Sequence, residues 1–173
     1  PGYGFGGSKS RVCELVFNTS MAGYQEIISD PSYANQIIVM TYPLIGNYGI
    51  TDEDFESKLL ALGGMVVRDY NDMPSNFRFT KTLSETLAES DVPGISGLDT
   101  RALAKRIRDE GTQKAVMVDI DFPLEEGLAL LRETPLEEHS VAAVSCKKMW
   151  YSRTSNHRFN VVAVDCGMKS GMV

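Results

Sequence analysis

The sequence has few of the residues on which simple functional assignments depend. It contains only two histidines, His139 and His157, and three cysteines, Cys13, Cys146 and Cys166, with no CxxC pair. Isolated histidines and unpaired cysteines do not supply the clustered ligands of a metal site, so no metal site is predicted. An odd, widely spaced set of cysteines is typical of free thiols in a reducing compartment, which predicts a cytoplasmic protein.

Long hydrophobic runs and an excess of positive charge are also missing. No apolar run approaches the ~18 residues that suggest a membrane-spanning helix, and no signal peptide is visible, so no membrane role is predicted. The 173 residues include 17 Lys and Arg against 23 Asp and Glu, a net charge of −6. An acidic chain gains little from counterion release on nucleic acid, which disfavours a DNA or RNA partner.

Five short apolar runs, rich in Val and Ile and bounded by turn residues, predict β-strands. They are CELVFN from Cys13, QIIVMTY from Gln36, GMVVRDY from Gly64, KAVMVDI from Lys114 and VVAVD from Val161. Their spacing does not follow a strict alternation of one strand and one helix. A layered α/β domain therefore fits better than a doubly wound parallel sheet.

Helical periodicity appears in four stretches between these strands. They are DEDFESKLLALGG after Thr51, LSETLAES after Thr82, RALAKRIRDEG after Thr100 and PLEEGLALLRET from Pro123. Thr82 and Glu85 have the spacing of a capping box, although Thr80 could equally cap the second helix. Asp99 or Thr100 can cap the third helix.

The C-terminal part of the sequence changes character after residue 144. Residues 145–157 are polar and basic, which predicts a linker, and the apolar run that follows is typical of the first strand of a new α/β domain. The sequence thus predicts one domain over residues 1–144, a linker over 145–157, and the truncated first strand of a second domain over 158–173.

Two motifs resemble catalytic or cofactor sites but lack the context that such sites need. GYGFGG, residues 2–7, matches GxGxxG, but no strand precedes it and no helix follows, so a glycine-rich turn is predicted. Cys166 follows VVAVD as a nucleophile could, but no patterned histidine accompanies it. Cys166 and Cys13 are therefore predicted to be buried structural residues.

A proline-marked turn, SDPSY, is a third candidate. Pro31 fixes φ, while Asp30 and Ser32 can form hydrogen bonds with nearby backbone amides, so local chemistry favours a structural role for Ser32. On the RALAKRIRDEG stretch, Arg101, Lys105, Arg106 and Arg108 form a basic run, for which a solvated helix face is the favoured interpretation.

Three blocks occur in order: FNTSMAGYQEIISDPSYANQIIVMTYPLIGNYG, PSNFR and GISGLDTRALAKRIRDEG. Together they resemble the small, glutamine-amidotransferase subunit of carbamoyl phosphate synthetase, and the resemblance runs from about Phe5 to Gln113. It returns in FNVVAVDCGMK, which is similar to the opening strand of that family's class I amidotransferase domain. The resemblance implies a three-layer β/β/α swivelling domain for the N-terminal part. At Cys13 the chain departs from the glycine that is common in the family.

The resemblance also implies a function. In the family, the amidotransferase domain hydrolyses glutamine through a Cys-His-Glu triad, and the ammonia passes to a large subunit. There, bicarbonate and ATP, with Mg, complete carbamoyl phosphate for arginine or pyrimidine synthesis. The triad cysteine is expected beyond Val173, so this chain is expected to contain no catalytic residue and no cofactor. The serine of the family's DPSY turn helps to bind glutamine, which assigns that role to Ser32.

The resemblance implies that the large subunit is the partner, in a heterodimer. Either the YPLIGNYG loop or the helix that carries Arg101 is expected to contribute to that contact. Two alternatives to a separate subunit stay open on sequence grounds. The chain could be the equivalent segment of a fused multifunctional pyrimidine-pathway enzyme, or it could be a standalone binding module.

Overall fold

The computed structural model describes residues 1–152, 156 and 158–173, which form a mixed α/β structure. The strands, in chain order, are β1 (Tyr3–Gly6), β2 (Val12–Asn18), β3 (Gln36–Met40), β4 (Leu44–Ile45), β5 (Gly64–Val66), β6 (Asp69–Tyr70), β7 (Pro93–Ser96) and β8 (Gln113–Val116). The α-helices are α1 (Tyr24–Ser29), α2 (Leu83–Glu89), α3 (Thr100–Glu110), α4 (Leu124–Glu133) and α5 (Ser140–Val144).

Six of the strands form one sheet in the order β1-β7-β5-β3-β2-β8. The four central strands are parallel, and β1 and β8 pair antiparallel at the two edges. β4 and β6 form a separate two-stranded parallel sheet. β3 and β5, in the middle of the sheet, are almost continuously apolar because their side chains are buried on both faces.

Alternate residues of β3 divide the core between the two faces of the large sheet. Ile38 and Met40 pack with α1, α2 and the two-stranded sheet on one face. Ile37 and Val39 pack with Ile107 of α3 on the other face. The small sheet, the large sheet and α3 are thus stacked in β/β/α order, which confirms the predicted three-layer class.

The helices whose caps were visible in the sequence begin where those caps predict. At α2, the Thr82 hydroxyl accepts a hydrogen bond from the Glu85 N–H, and the Glu85 side chain accepts one from the Thr82 N–H, forming the capping box. At α3, Asp99 accepts a hydrogen bond from the Ala102 N–H at 3.0 Å. These local signals succeed because the cap and its acceptor or donor lie within three residues of each other.

The helix predicted after Thr51 does not form, because buried side chains from α1 take the backbone groups that a helix would use. Gln25 bonds both the N–H and the carbonyl oxygen of Thr51, at 2.9 and 2.5 Å. The Ser29 hydroxyl accepts a hydrogen bond from the Glu56 N–H at 2.9 Å. Residues 51–61 therefore form bends and irregular backbone, and Leu59 is 65% exposed.

Three strand and turn predictions are also corrected. Residues 161–165 are not a strand, and Val161, Val162 and Val164 are 86–94% exposed because no neighbouring strand among the described residues pairs with them. Residues 3–6 of the predicted glycine-rich turn form β1, which pairs with β7. The predicted strand over residues 64–70 is divided between the two sheets, as β5 and β6.

Within the part of the chain that the structure describes, no helix combines the length and the apolar character needed to cross a bilayer.

Candidate functional site

The SDPSY turn connects α1 to β3 and is held by the Asp30 side chain. Asp30 ends α1 in an extended conformation, with φ −73° and ψ 117°, and residues Pro31–Tyr33 then form a single 3₁₀ turn. One carboxylate oxygen of Asp30, Oδ1, accepts a hydrogen bond from the Ser32 N–H at 2.8 Å. The Ser32 residue itself is exposed, so its hydroxyl is presented on a turn whose backbone is fixed.

The second oxygen of the same carboxylate bonds a residue far along the chain. Lys169 Nζ donates to Asp30 Oδ2 at 2.5 Å, and the Asp30 side chain is only 12% exposed. Burial by itself raises the pKa of Asp30, but the hydrogen bonds from Lys169 and from the Ser32 N–H, with the Ser32 hydroxyl nearby, outweigh it, so the pKa lies below its ordinary value. The bond to Asp30 also raises the pKa of Lys169, so the pair is ionised at neutral pH.

Residues 165–173 lie against a second anchor, the backbone at Glu56. The Ser170 N–H and hydroxyl both donate to the Glu56 carbonyl oxygen, at 2.7 and 3.0 Å. The Gly171 N–H donates to the Glu56 carboxylate at 3.2 Å. Because the Glu56 N–H is itself bonded to Ser29, the end of α1 and the C-terminal segment share one hydrogen-bonded network.

Gly167 allows the C-terminal segment to approach the turn closely. Its φ is +104°, a conformation that residues with a side chain rarely adopt. A Cβ atom at this position would lie 2.7 Å from Cγ2 of Val144 and 3.4 Å from Cβ of Pro31. A larger residue at 167 would therefore push the segment away from both α5 and the SDPSY turn.

A cavity of about 830 Å³ lies between the turn, the 56–59 loop, the end of α5 and the C-terminal segment. Pro31 lines it, whereas its neighbour Ser32 does not. On the opposite wall, Trp150 Nε1 donates to Asp165 Oδ2 at 3.1 Å, while Oδ1 of Asp165 accepts from the Gly167 and Met168 N–H groups. These four groups fix the start of the C-terminal segment. The cavity volume lies within the range of small-molecule sites.

The other sequence candidates do not join this site as catalytic groups. Cys13 is buried in β2 as predicted, and burial raises the pKa of its thiol despite the nearby Arg11. The prediction that Cys166 is buried is wrong, since Cys166 is exposed in a segment that is not a strand. His139 is exposed, and His157 lies outside the described residues.

No three His, Cys, Asp or Glu side chains lie close enough to hold a metal ion among residues 1–152, 156 and 158–173.

Lys169, Glu56 and Asp165 are the site residues that sequence reasoning missed. Lys169 is 139 positions from Asp30, so no periodicity or turn signal links the two. The only hint was the second, separate block of family resemblance, which contains Asp165 and Lys169.

The family model and the similar proteins all identify the same family over most of the chain. The family model described as "Carbamoyl-phosphate synthase small chain, CPSase domain" matches residues 1–117. The carbamoyl phosphate synthase small chain of Fusobacterium nucleatum is 49% identical over 172 residues, which is 99% of this chain and 48% of that relative. The small chain of Staphylococcus saprophyticus is 46% identical, again over 99% of this chain and over 46% of the relative.

A relative with a narrower name also aligns over nearly the whole chain. The pyrimidine-specific small chain of Bacillus subtilis is 44% identical over 99% of this chain and 47% of its own length. The chain thus spans about half the length of the curated relatives it matches. The matched segment includes the SDPSY turn, both sheets and α3, and this chain belongs to the carbamoyl-phosphate synthase small chain family.

Proposed function

We propose that the chain is the N-terminal part of the small subunit of a glutamine-hydrolysing carbamoyl phosphate synthase. The observation that carries this proposal is the alignment of 99% of the chain, at 44–49% identity, with three carbamoyl phosphate synthase small chains. In the proposed enzyme, glutamine supplies ammonia to a large subunit, which makes carbamoyl phosphate from bicarbonate and ATP. The reaction as a whole is that of a ligase.

Within that enzyme, this part of the chain supports the glutamine site and does not cleave the amide. The catalytic cysteine, histidine and glutamate are proposed to lie downstream of residue 173, and ATP and Mg bind the large subunit. The described residues supply a docking surface for the large subunit and one wall of the glutamine site. Such an assembly would operate in the cytoplasm as a heterodimer.

Ser32 is proposed to contact the bound glutamine. A hydroxyl suits this role because it can donate to the carboxylate of an amino acid and accept from its ammonium group. The structure supports the role in two ways: the Ser32 side chain is on an exposed position, and its backbone is held by Asp30. A hydrogen bond to a charged group contributes about 1.5–3 kcal/mol, so its loss would weaken binding by roughly 10-fold or more.

The test is Ser32→Ala in the full small subunit, assembled with its large subunit. We expect the KM for glutamine to rise roughly 10-fold or more while ammonia-dependent synthesis is unchanged, because ammonia bypasses the glutamine site. Ser20→Ala is a matched control, since Ser20 is also exposed and only its backbone N–H is bonded, to Asn18. Unchanged glutamine kinetics in Ser32→Ala would remove this residue from the site.

The names of the relatives support a separate subunit over a fused enzyme. Each relative compared here is a "small chain", not a fused pyrimidine-pathway polypeptide. The coding sequence downstream of residue 173 tests the proposal directly, because it should encode a cysteine at a nucleophile elbow followed by a histidine and a glutamate.

A further inference from the structure

A shallow groove of about 370 Å³ lies between α3 and the carboxyl ends of β2 and β3. We call it the basic groove, since three of its lining residues are cationic. The lining residues are Arg101, Lys105, Arg108, Phe17, Thr19, Thr41 and Ala104. It lies on the α3 side of the large sheet, whereas the SDPSY turn follows α1 on the other side. The groove is therefore a feature separate from the candidate glutamine site.

The fold places the three cations in one row. Ile107 of α3 is 5% exposed and packs on the sheet, so it fixes which side of the helix faces inward. Arg101, Lys105 and Arg108 follow the spacing i, i+4 and i+7, which puts them on one stripe of the helix. All three are exposed, and the stripe runs beside the hydroxyl-bearing Thr19 and Thr41.

The charge of this row is only partly compensated within the chain. Among the residues that the structure describes, Arg101 and Lys105 have no ion-pair partner, whereas Arg108 bonds its neighbour Asp109 at 2.8 Å. The fourth cation of the helix, Arg106, bonds Glu110 and does not line the groove. A positive stripe on a chain of net charge −6 creates a local field that attracts an acidic partner to this face.

The length of the stripe favours an extended ligand over a single small anion. Arg101 and Arg108 are seven residues apart, about 10 Å along the helix axis, which exceeds the width of one phosphate or carboxylate group. The N-terminus of α3, which could otherwise bind an anion, is already capped by the Asp99 carboxylate. A row of cations with this spacing suits several carboxylates presented along one segment of protein.

The alternative surface, the YPLIGNYG loop, is largely occupied by contacts within the chain. Leu44 and Ile45 pair with β6, and Ile45 is 2% exposed. The Tyr48 hydroxyl accepts hydrogen bonds from the N–H groups of Gly23 and Tyr24. These contacts explain the sequence of the loop without a partner, whereas neither Arg101 nor Lys105 forms an ion pair with any of the described residues.

We propose that the basic groove binds an acidic segment, rich in Asp and Glu, of the large subunit. The inference rests on the proposed function, because it takes the large subunit as the partner. Arg101 and Lys105 form the primary contacts with carboxylates of the partner. Arg108 adds a third contact when it releases Asp109 and binds a partner carboxylate instead. Thr19 and Thr41 offer hydroxyl donors at the edge of the groove. The contact steers association and fixes the orientation of the two subunits.

The experiment measures the affinity of the full small subunit for its large subunit, by titration with a labelled small subunit, at NaCl concentrations from about 50 to about 300 mM. The test variant is Arg101→Glu combined with Lys105→Glu. The matched control is Arg106→Glu, which reverses a charge on the same exposed helix outside the groove. Circular dichroism of each variant verifies that the fold is retained. A second variant, Arg101→Gln with Lys105→Gln, removes the charges without introducing new ones.

We expect the double reversal to weaken binding about tenfold or more at low salt, the neutral variant to weaken it less, and both to flatten the salt dependence. Arg106→Glu should leave affinity within about twofold of the unmodified subunit. Equal affinity and equal salt dependence in all variants would overturn the groove proposal alone. If the unmodified small subunit fails to bind the large subunit, the proposed function itself fails.

A titration of the free small subunit with inorganic pyrophosphate tests whether the basic groove is a site for a small anion and not for a protein segment. We expect no saturable binding at micromolar concentration. Saturable binding that Arg101→Gln with Lys105→Gln abolishes, together with unchanged affinity for the large subunit, would show that the groove recognises a small polyanion and would overturn the protein-docking proposal.

Discussion

The contact between Asp30 and Lys169 can be tested by removing its cation. Lys169→Met keeps the length of the side chain but leaves the Asp30 carboxylate, 12% exposed, without its charged partner. A hydrogen bond between charged groups contributes about 1.5–3 kcal/mol. Because the Lys169 side chain is 37% exposed, solvent screening reduces this value, and we expect a loss of about 1–2 kcal/mol.

The loss of stability should release residues 165–173 at a lower urea concentration than the one that unfolds the rest of the chain. Trp150 is the only tryptophan and donates to Asp165, so its fluorescence reports this segment, while far-ultraviolet circular dichroism reports the helices and sheets. In urea, Lys169→Met should move the fluorescence transition to lower concentration and leave the dichroism transition nearly in place. Lys58→Met is the matched control, because Lys58 lines the same cavity and has no ion pair among the described residues.

The pH dependence of the same contact has a definite sign. The folded pKa of Asp30 is lowered, chiefly because the bonds from Lys169 and Ser32 outweigh the effect of burial. A lowered carboxyl pKa stabilises the docked segment above the unfolded pKa, near 3.9, and this stabilisation is lost as pH falls through the folded pKa. A double-mutant cycle of Asp30→Asn and Lys169→Met should give a coupling of about 1–2 kcal/mol at pH 7. A coupling below about 0.3 kcal/mol would refute this reasoning.

Three further substitutions test the contacts that shape the fold, each measured as the free energy of unfolding in urea. Gln25→Leu should destabilise by about 2–4 kcal/mol, because it leaves both backbone groups of Thr51 buried without their partners; a loss below about 1 kcal/mol would contradict this. Thr82→Ala should cost about 1 kcal/mol by removing the α2 cap, and no change would show that the capping box is dispensable. Gly63→Ala should cost about 1–3 kcal/mol, since its Cβ would lie 2.3 Å from Cys13 Sγ, whereas Gly4→Ala, which meets nothing within 4 Å, serves as its control.

The sequence predicted the elements whose signals are local and missed those set by distant contacts. The α3 helix has its cap at Asp99 and its end at Gly111, both adjacent to the helix, and it forms as predicted. The segment after Thr51 has an equally good cap and period, yet Gln25 and Ser29 hold its backbone in bends. No pattern within residues 51–63 contains information about those side chains, so periodicity alone predicted a helix there.

Strand predictions failed for the related reason that a strand needs a partner. The apolar run at 161–165 has the composition of a buried strand, but its valines are exposed where no strand among the described residues lies beside them. Conversely, β1 is rich in glycine and was predicted to be a turn, yet it pairs along the edge of the sheet with β7. Composition predicts that a segment can pair, and the rest of the chain decides whether it does.

The candidate site consists of the SDPSY turn and residues 165–173, and the sequence predicted only the turn. The SDPSY turn contains its own explanation, because Pro31 and the Asp30 carboxylate act within two residues of Ser32. Lys169 carries no local signal, since an isolated lysine is most often solvent-exposed. Its contact with Asp30 exists only because Gly167 and Glu56 bring residues 165–173 against the turn.

The two oxygens of the Asp30 carboxylate couple the conformation of the SDPSY turn to the docking of residues 165–173. Oδ1 holds the Ser32 backbone and Oδ2 holds Lys169, so displacement of the segment removes a cation from the carboxylate that orients Ser32. In the proposed enzyme, a ligand that binds Ser32 in its observed position must therefore also stabilise the docked segment, because coupling between two binding events is reciprocal. Under the proposed function, glutamine binding would then favour the docked position of residues 165–173. The bond between Lys169 and Asp30 therefore links, under the proposed function, the binding of glutamine at Ser32 to the docking of residues 165–173.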